Sequence, residues 1–273
     1  MRHFRSVAVL VLSLAWGLAS PAWAQVPGDF AVLAGNAVTC TDSMITGDVG
    51  VSQTTAVTQT NCTIAGTVHA ADGAAQQAYQ AFLAEYQRLA ALQCDHFLSG
   101  DLGGVTLNKP GVYCVAAAST TTGGTLTLSG PSKGTWIFKI GTGGTGALTG
   151  TNFSVVMAGG GDPCDVTWWV AEAATLTDSN FLGTILAGAD ITITRGSFDG
   201  NAFAKGAVTM TGADVTGCEG GNVGPNPGRQ RCNQGVGNGP EACDPGNSNQ
   251  GDPDRSNDER GGKPGSPGRR GGR

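Results

Sequence analysis

Between residues 28 and 218 the chain is a succession of short apolar–polar alternations cut off by glycine. In ADITITRG, residues 189–196, threonine and isoleucine alternate, and the same threonine pair stands 17 residues earlier in ATLT (174–177) and 17 later in VTMT (208–211). Alternation of period two marks a strand with one buried face. A fixed repeat of this length marks a coil that buries its apolar face only against the next coil. From Thr167 three blocks align without a gap: TWWVAEAATLTDSNFLG, TILAGADITITRGSFDG and NAFAKGAVTMTGADVTG, closing on Gly183, Gly200 and Gly217. Large apolar residues recur at matching places, with Trp169, Leu186 and Phe203 in one column, Leu176, Ile193 and Met210 in a second, and Phe181, Phe198 and Val215 in a third. Three columns per block predict a mainly β chain wound as a three-sided solenoid, one short strand per side. GTLTLSG (124–130) and ALTGTNF (147–153) read as the same rung with longer corners, and residues around 158–165 as a looped insertion. Six or seven coils at ~4.8 Å would stand about 30 Å tall.

The period changes once. Over residues 73–94, GAAQQAYQAFLAEYQRLAALQC, Tyr79, Phe82, Leu83, Tyr86 and Leu89 fall at steps of three and four, one apolar stripe of an α-helix. Asp72 precedes it as N-cap. At ~1.5 Å per residue such a helix is about 33 Å long, which suits it to lie along the solenoid and cover one side.

The two ends differ from this middle. Arg2 and Arg5 followed by VAVLVLSLAWGL and Ala22-Trp23-Ala24 read as a secretory signal peptide, residues 1–24, cleaved near Ala24. Its apolar run is too short to span a bilayer. Residues 219–273 hold glycine, proline, asparagine and charge with few apolar residues, and predict a disordered tail. The domain between them is 25–218. Eight cysteines suit an oxidising, extracellular compartment. None forms a C-x-x-C pair, so no zinc site is expected. Pairing of nearest neighbours would join Cys40 with Cys62, Cys94 with Cys114, Cys164 with Cys218 and Cys232 with Cys243, although spacing leaves other connectivities open.

Charge narrows the function. Residues 25–218 carry six of the 16 Lys+Arg and 14 of the 21 Asp+Glu, a net charge near −8. Such a domain has no electrostatic footprint for nucleic acid. Catalysis would need paired carboxylates in register, whereas Asp162, Asp165, Asp190, Asp199 and Asp214 sit at turns or corners, where aspartate commonly bonds its own backbone. His69 and His96 belong to no triad, and His96 reads as a cap at the helix end. The tail's Asp244, Asn247, Asn249, Asp252 and Asp254 miss the spacing of a calcium loop. No enzyme, cofactor or metal site is expected.

The threonines remain. If Ala174 and Leu176 point inward, Thr175 and Thr177 emerge together, as do Thr192 with Thr194 and Thr209 with Thr211. Stacked coils would then display a flat grid, ~6.7 Å along a strand and ~4.8 Å between strands. Threonine is stiff at χ1, so its methyl and hydroxyl are held with little entropy left to lose. A rigid, uncharged array of this kind can order water in a repeating pattern, and ice is a repeating partner. Against this, threonine is simply a good strand former and commonly points outward on solenoids.

Further stretches carry a resemblance. Phe30-Ala31-Val32-Leu33-Ala34-Gly35, Gly47-Asp48-Val49-Gly50, GTVHAAD at 66–72 before the helix, Pro110-Gly111-Val112-Tyr113, Trp136-Ile137-Phe138-Lys139-Ile140-Gly141, Thr184-Ile185-Leu186-Ala187 and Gly206-Ala207-Val208-Thr209 follow one another in an order that resembles the microbial ice-binding proteins, over about residues 28–217. The resemblance implies a right-handed, discontinuous β-solenoid with an axial helix. It further implies a secreted antifreeze that adsorbs to ice through one flat face and restrains recrystallisation. The role carries over to Thr175, Thr177, Thr192, Thr194, Thr209 and Thr211, and also to Thr125, Thr127 and Thr149. Asp178 and Arg195, directly after their threonine pairs, would interrupt ice-like water if they lay in the plane. The partner is then an ice surface, met by a monomer with no membrane span. The alternative is an extracellular structural or adhesion module that binds a surface polysaccharide by the same face.

Overall fold

The chain divides into two units, Met1–Pro225 and Asn226–Arg273, and the computed structural model describes residues 30–218, all within the first. The expected signal peptide, the tail and the Cys232–Cys243 pair lie outside the described residues.

The polypeptide winds through three walls again and again. β1 (Phe30–Ala34), β2 (Ala37–Thr41) and β3 (Met44–Thr46) make one coil, and β4 (Asp48–Val51), β5 (Val57–Thr60) and β6 (Thr63–Ala65) the next. After β7 (Val68–Ala70) comes the helix α1 (Gly73–Ala90). Winding resumes with the partial coil β8 (His96–Phe97) and β9 (Thr106–Leu107). Two full coils follow, β10 (Gly111–Val115), β11 (Ser119–Thr122), β12 (Thr125–Ser129) and β13 (Trp136–Ile140), β14 (Leu148–Thr151), β15 (Ser154–Ala158). In the last three coils one long strand turns a corner to serve two walls: β16 (Val166–Val170) with β17 (Ala174–Leu182), β18 (Thr184–Ala187) with β19 (Ile191–Asp199), and β20 (Ala202–Ala204) with β21 (Ala207–Thr216).

Every pairing between coils is parallel. The first wall is a nine-stranded sheet in the order β7-β4-β1-β20-β18-β16-β13-β10-β8. The amino-terminal coils are therefore stacked on the carboxy-terminal one, with β1 pairing β20 on one side and β4 on the other. This is the discontinuity that the resemblance implied. β7 and β8, consecutive strands of this wall in sequence, end up at opposite edges, eight strand spacings or about 38 Å apart. α1 and the segment after it make that return journey. The helix has 18 residues, about 27 Å. It stops at Ala90 rather than continuing to Cys94, because Leu92 N–H turns back to Leu89 O and Cys94 is bridged to Cys114 on β10.

The inward residues are mostly apolar; on β11 they are Ser119 and Thr121, whose hydroxyls are satisfied, Ser119 Oγ donating to Gly100 O at 3.0 Å and Thr121 Oγ1 accepting from Leu102 N–H at 3.0 Å. The columns Leu176–Ile193–Met210 and Phe181–Phe198–Val215 are in register and buried, and neighbouring coils extend them through Cys40 and Ile45. The Trp169–Leu186–Phe203 column is also in register but faces the other way. With Phe30, Leu33 and Ile137 it forms the seat of α1, packed against Tyr79, Phe82, Tyr86 and Leu89. The first wall is thus apolar on both sides, and its interior is lined instead by Trp168, Val170, Ile185 and Ala187. Phe82 and Phe203 meet with ring centroids 6.0 Å apart, and Tyr86 and Trp169 at 5.2 Å. Polar tips are satisfied in the same interface: Tyr86 Oη donates to Val170 O at 3.1 Å, and Trp169 Nε1 donates to Tyr86 O at 3.1 Å. Burial pushes the Tyr86 phenol up to about 12.

Both helix ends are capped. Asp72 accepts from Ala75 N–H at 2.8 Å, as the sequence predicts. At the other end the cap is Lys139 and not His96: Lys139 Nζ donates to Ala90 O at 2.8 Å and Leu92 O at 2.6 Å, placing a cation where the helix dipole favours one. His96 instead stacks on Tyr113, ring centroids 4.9 Å apart.

Closing glycines sit where neighbouring coils approach closely. At Gly200, with φ +153°, an added Cβ would lie 2.2 Å from Gly183 O, so no side chain fits without separating two coils. The seat of the helix generates a measurable expectation. Phe203→Ala should cost about 3–5 kcal/mol in urea unfolding, as for a large buried aromatic ring. Amide exchange in α1 should accelerate before exchange in β17, β19 and β21.

Candidate functional site

The second wall carries the candidate site. Its strands are β11, β14, the first halves of β17, β19 and β21, then β2 and β5. Along them an outward threonine pair recurs in seven consecutive coils: Thr120/Thr122, Thr149/Thr151, Thr175/Thr177, Thr192/Thr194, Thr209/Thr211, Thr39/Thr41 and Thr58/Thr60. Each first threonine is in register with the next coil's first, and each second with the next second. The residues between them, such as Leu176, Ile193, Met210 and Cys40, are buried in the core. Six spacings make two parallel rows about 29 Å long and ~6.7 Å apart. Among the described residues, none of these outward hydroxyls is tied up in a side-chain hydrogen bond within the protein.

The structure brings together Thr175, Thr177, Thr192, Thr194, Thr209, Thr211 and Thr149. It separates Thr125 and Thr127 from them. β12 pairs with β15 and β9 on the third wall, where Thr125 faces Ser154 and Thr127 faces Thr106. In that coil the second wall is supplied by Ser119–Thr122, just upstream, because Gly123 and Gly124 turn the corner before TLTLS begins. Sequence reasoning missed Thr120, Thr122, Thr151, Thr39, Thr41, Thr58 and Thr60. The signal is present in the chain: VTCT at 38–41 and VTQT at 57–60 repeat VTMT, outside the three gapless 17-residue blocks.

A corner follows each pair, and its first residue is left-handed in every coil. Asp42, Asn61, Asn152, Asp178 and Arg195 have φ between 48° and 55°, and Gly123 and Gly212 have φ of 73° and 61°. Glycine, asparagine and aspartate tolerate that conformation best, so residue choice and wall edge are coupled. Arg195 is the unusual occupant, and it explains what happens to the charges. Its guanidinium donates to both oxygens of Asp178 on the preceding coil, at 2.6 and 2.7 Å. That hydrogen bonding holds the Asp178 carboxyl below its ordinary range. Asn61 Nδ2 likewise donates to Asp42 Oδ1 at 3.1 Å. Along the corner Asp178 is thus charge-paired, and Asp42 is hydrogen-bonded to a neutral amide. Other turn aspartates behave similarly where their bonds are defined, Asp162 accepting from Cys164 N–H at 3.0 Å and Asp190 from Ala207 N–H at 2.7 Å. Among the described residues no group of three metal-ligating side chains is gathered, and no helix is long and apolar enough to cross a membrane.

Three disulfides lock the coils, with the pairing expected from neighbours: Cys40–Cys62, Cys94–Cys114 and Cys164–Cys218. The first ties the end coil of the threonine wall to the coil before it. The third pins the turn at Pro163–Asp165, within the expected insertion, to the end of β21.

A discontinuous solenoid, with one wall sealed by a helix and one bearing threonine pairs in register, defines the class: a repetitive parallel β-coil protein. Residues 32–216 match the Ice-binding-like family model, and the chain belongs to that family. It is 39% identical over 191 residues to a protein of Nostoc sp. (strain HG1) described as an ice-binding protein, covering 67% of this chain and 69% of that one. Among solved structures it is similar to an ice-binding protein from an Antarctic biological consortium, with TM-score 0.65, 29% identity, and 77% of this chain and 96% of that one covered. It is also similar to one from the Antarctic ascomycete Antarctomyces psychrotrophicus, with TM-score 0.65, 28% identity, and coverage of 73% and 98%.

Two consequences concern the bridges. Reduction should lower Tm while the far-UV strand signal persists at room temperature, because coil stacking rather than cross-linking carries the core. Complete unfolding in mild reductant would contradict this. Cys40→Ser with Cys62→Ser, which opens a 22-residue separation, should cost about 3 kcal/mol and speed amide exchange first in residues 57–65.

Proposed function

We propose that the protein is a secreted antifreeze that adsorbs to ice through the second wall and restrains recrystallisation, acting as a monomer without chemistry or cofactor. One observation carries this reading: seven threonine pairs in register on a single wall. Methyls spaced by the strand repeat confine water between them, and hydroxyls at the same repeat anchor that water. Because the backbone lattice sets both spacings, the hydration layer is ordered before any ice is met and little entropy remains to be lost on adsorption.

The third wall answers the objection that threonine merely favours strands. It is built by the same coils from the same kind of parallel pairing, so propensity alone should decorate it alike. Its outward column runs instead Thr125, Ser154, Asn180, Ser197, Asp214, Met44 and Thr63. Five residue types share its seven places, no type fills more than two of them, an acid is present, and Met44 is 49% exposed. Regularity is therefore a property of residue choice on one wall, which favours a repeating partner there. The Nostoc, consortium and ascomycete relatives, each described as ice-binding, support the same conclusion. The disulfides and the leader-like first 24 residues support a site of action outside the cell.

The decisive measurement is ice growth observed by microscopy in dilute protein. Thr192→Tyr, in the middle of the wall, should reduce ice shaping and recrystallisation inhibition about tenfold or more. Its stability should stay within about 1 kcal/mol of the parent, as for a surface substitution. Thr125→Tyr, on the third wall, should leave ice activity unchanged. Equal loss in both variants would remove the second wall from the mechanism. Parent protein that leaves ice growth unaltered would move the function to a surface polysaccharide.

A further inference from the structure

The threonine wall has a third outward row that the two threonine rows obscure. Two positions before each first threonine the side chain again points outward, and six coils place alanine there: Ala37, Ala56, Ala118, Ala147, Ala173 and Ala207. The rung is thus A-x-T-x-T, as in AVTCT, AVTQT, AVTMT, AATLT, ALTGT and ASTTT. Register extends to this row: Ala37 pairs with Ala207, Ala147 O accepts from Ser119 N–H, Ala173 O from Leu148 N–H, and Ala56 O from Val38 N–H. The seventh coil reads DITIT, and Asp190 occupies the alanine place. It is exposed, and its O accepts from Ala174 N–H as its neighbours' carbonyls do. Its carboxylate leans along the row, Oδ1 accepting from Ala207 N–H at 2.7 Å.

We infer that the alanine row is a third rank of the ice-contacting surface and that Asp190 is the single charge interrupting it, limiting the affinity of this chain for ice. The inference rests on the adsorption reading above and specifies its site. Alanine beside a rigid threonine lattice adds flat methyl surface at the same coil repeat and no competing hydrogen bonds. Three rows span about 13 Å instead of ~6.7 Å, roughly doubling the width of the face. A carboxylate in that rank keeps a tightly oriented hydration shell that matches neither the methyl rows nor ice, and removing that shell without a partner is costly. Asp178 and Arg195 differ from it. They stand in the left-handed corner beyond the second threonine row and neutralise one another.

Three variants test this. Asp190→Ala completes the row, Asp190→Asn keeps an acceptor for the Ala207 N–H while removing the charge, and Ala173→Asp places a second carboxylate one coil away. Recrystallisation inhibition should require about two- to threefold less Asp190→Ala than parent protein, with Asp190→Asn between them, and about two- to threefold more Ala173→Asp, as the flat face is completed or further interrupted. Thermal unfolding of all three verifies that the coils are intact. If Thr192→Tyr abolishes activity while Asp190→Ala, Asp190→Asn and Ala173→Asp all match the parent, the third rank is wrong and the threonine wall stands. If Thr192→Tyr also matches the parent, both readings fall together.

Discussion

Parallel stacking of one coil on the next, in strict register, is the constraint on which the rest of this molecule depends. A single coil has no core. Its inward leucine, isoleucine or phenylalanine is buried only because the equivalent residue of the neighbour lies ~4.8 Å away, and its backbone groups bond only to neighbouring strands. Register then propagates everything placed on a coil to the next one. Inward it builds columns such as Phe181–Phe198–Val215. At the corners it forces the same left-handed turn after each threonine pair. Outward it converts a five-residue pattern into a lattice. The energetics of folding and the geometry of recognition are one set of contacts seen from two sides.

Such a stack must be closed and started somewhere, and here the described chain begins in the middle. The amino-terminal coils sit on the carboxy-terminal coil, so β1 has neighbours on both edges and neither described end of the chain begins an exposed edge strand. The cost is a long return path from β7 to β8, and α1 supplies it. The helix also resolves a problem created by the first wall, whose outer column Trp169–Leu186–Phe203 would otherwise be an exposed apolar stripe of the kind that promotes association. Covering that wall leaves two walls for solvent and partner.

Most of the coil could be read from the residues because it repeats. The 17-residue spacing placed Thr175, Thr192 and Thr209 on one wall, and helical spacing with Asp72 placed α1 and its start. What could not be read follows from the places where repetition is broken. Trp169, Leu186 and Phe203 are apolar in register whichever side they face, so periodicity alone cannot separate core from helix seat. TLTLS at 125–129 imitates the threonine rung, but glycines at 123 and 124 decide which wall it enters, and corner length is not visible in a two-residue alternation. VTCT and VTQT fall outside the 17-residue spacing, since Thr39 and Thr58 stand 19 apart, and only the structure stacks VTCT on the distant VTMT.

The unusual composition finds its place in the division among walls. In a domain with few charges, their placement at corners and on other walls leaves the threonine wall nearly uncharged. Asp42, Asp178 and Arg195 are confined to corners, and Asp199 and Asp214 to the third wall. Lys139 and Lys205 are drawn to the helix side, one on its carboxyl end and the other over the Tyr86 ring at 3.8 Å. Apart from Asp190, what remains on the second wall is threonine and alanine, small side chains with methyls and no formal charge. A flat protein surface of that composition has little to offer a substrate that needs pockets, acids or bases. Its one specific property is its period, and only a partner that is itself periodic over tens of ångströms can use every rung at once.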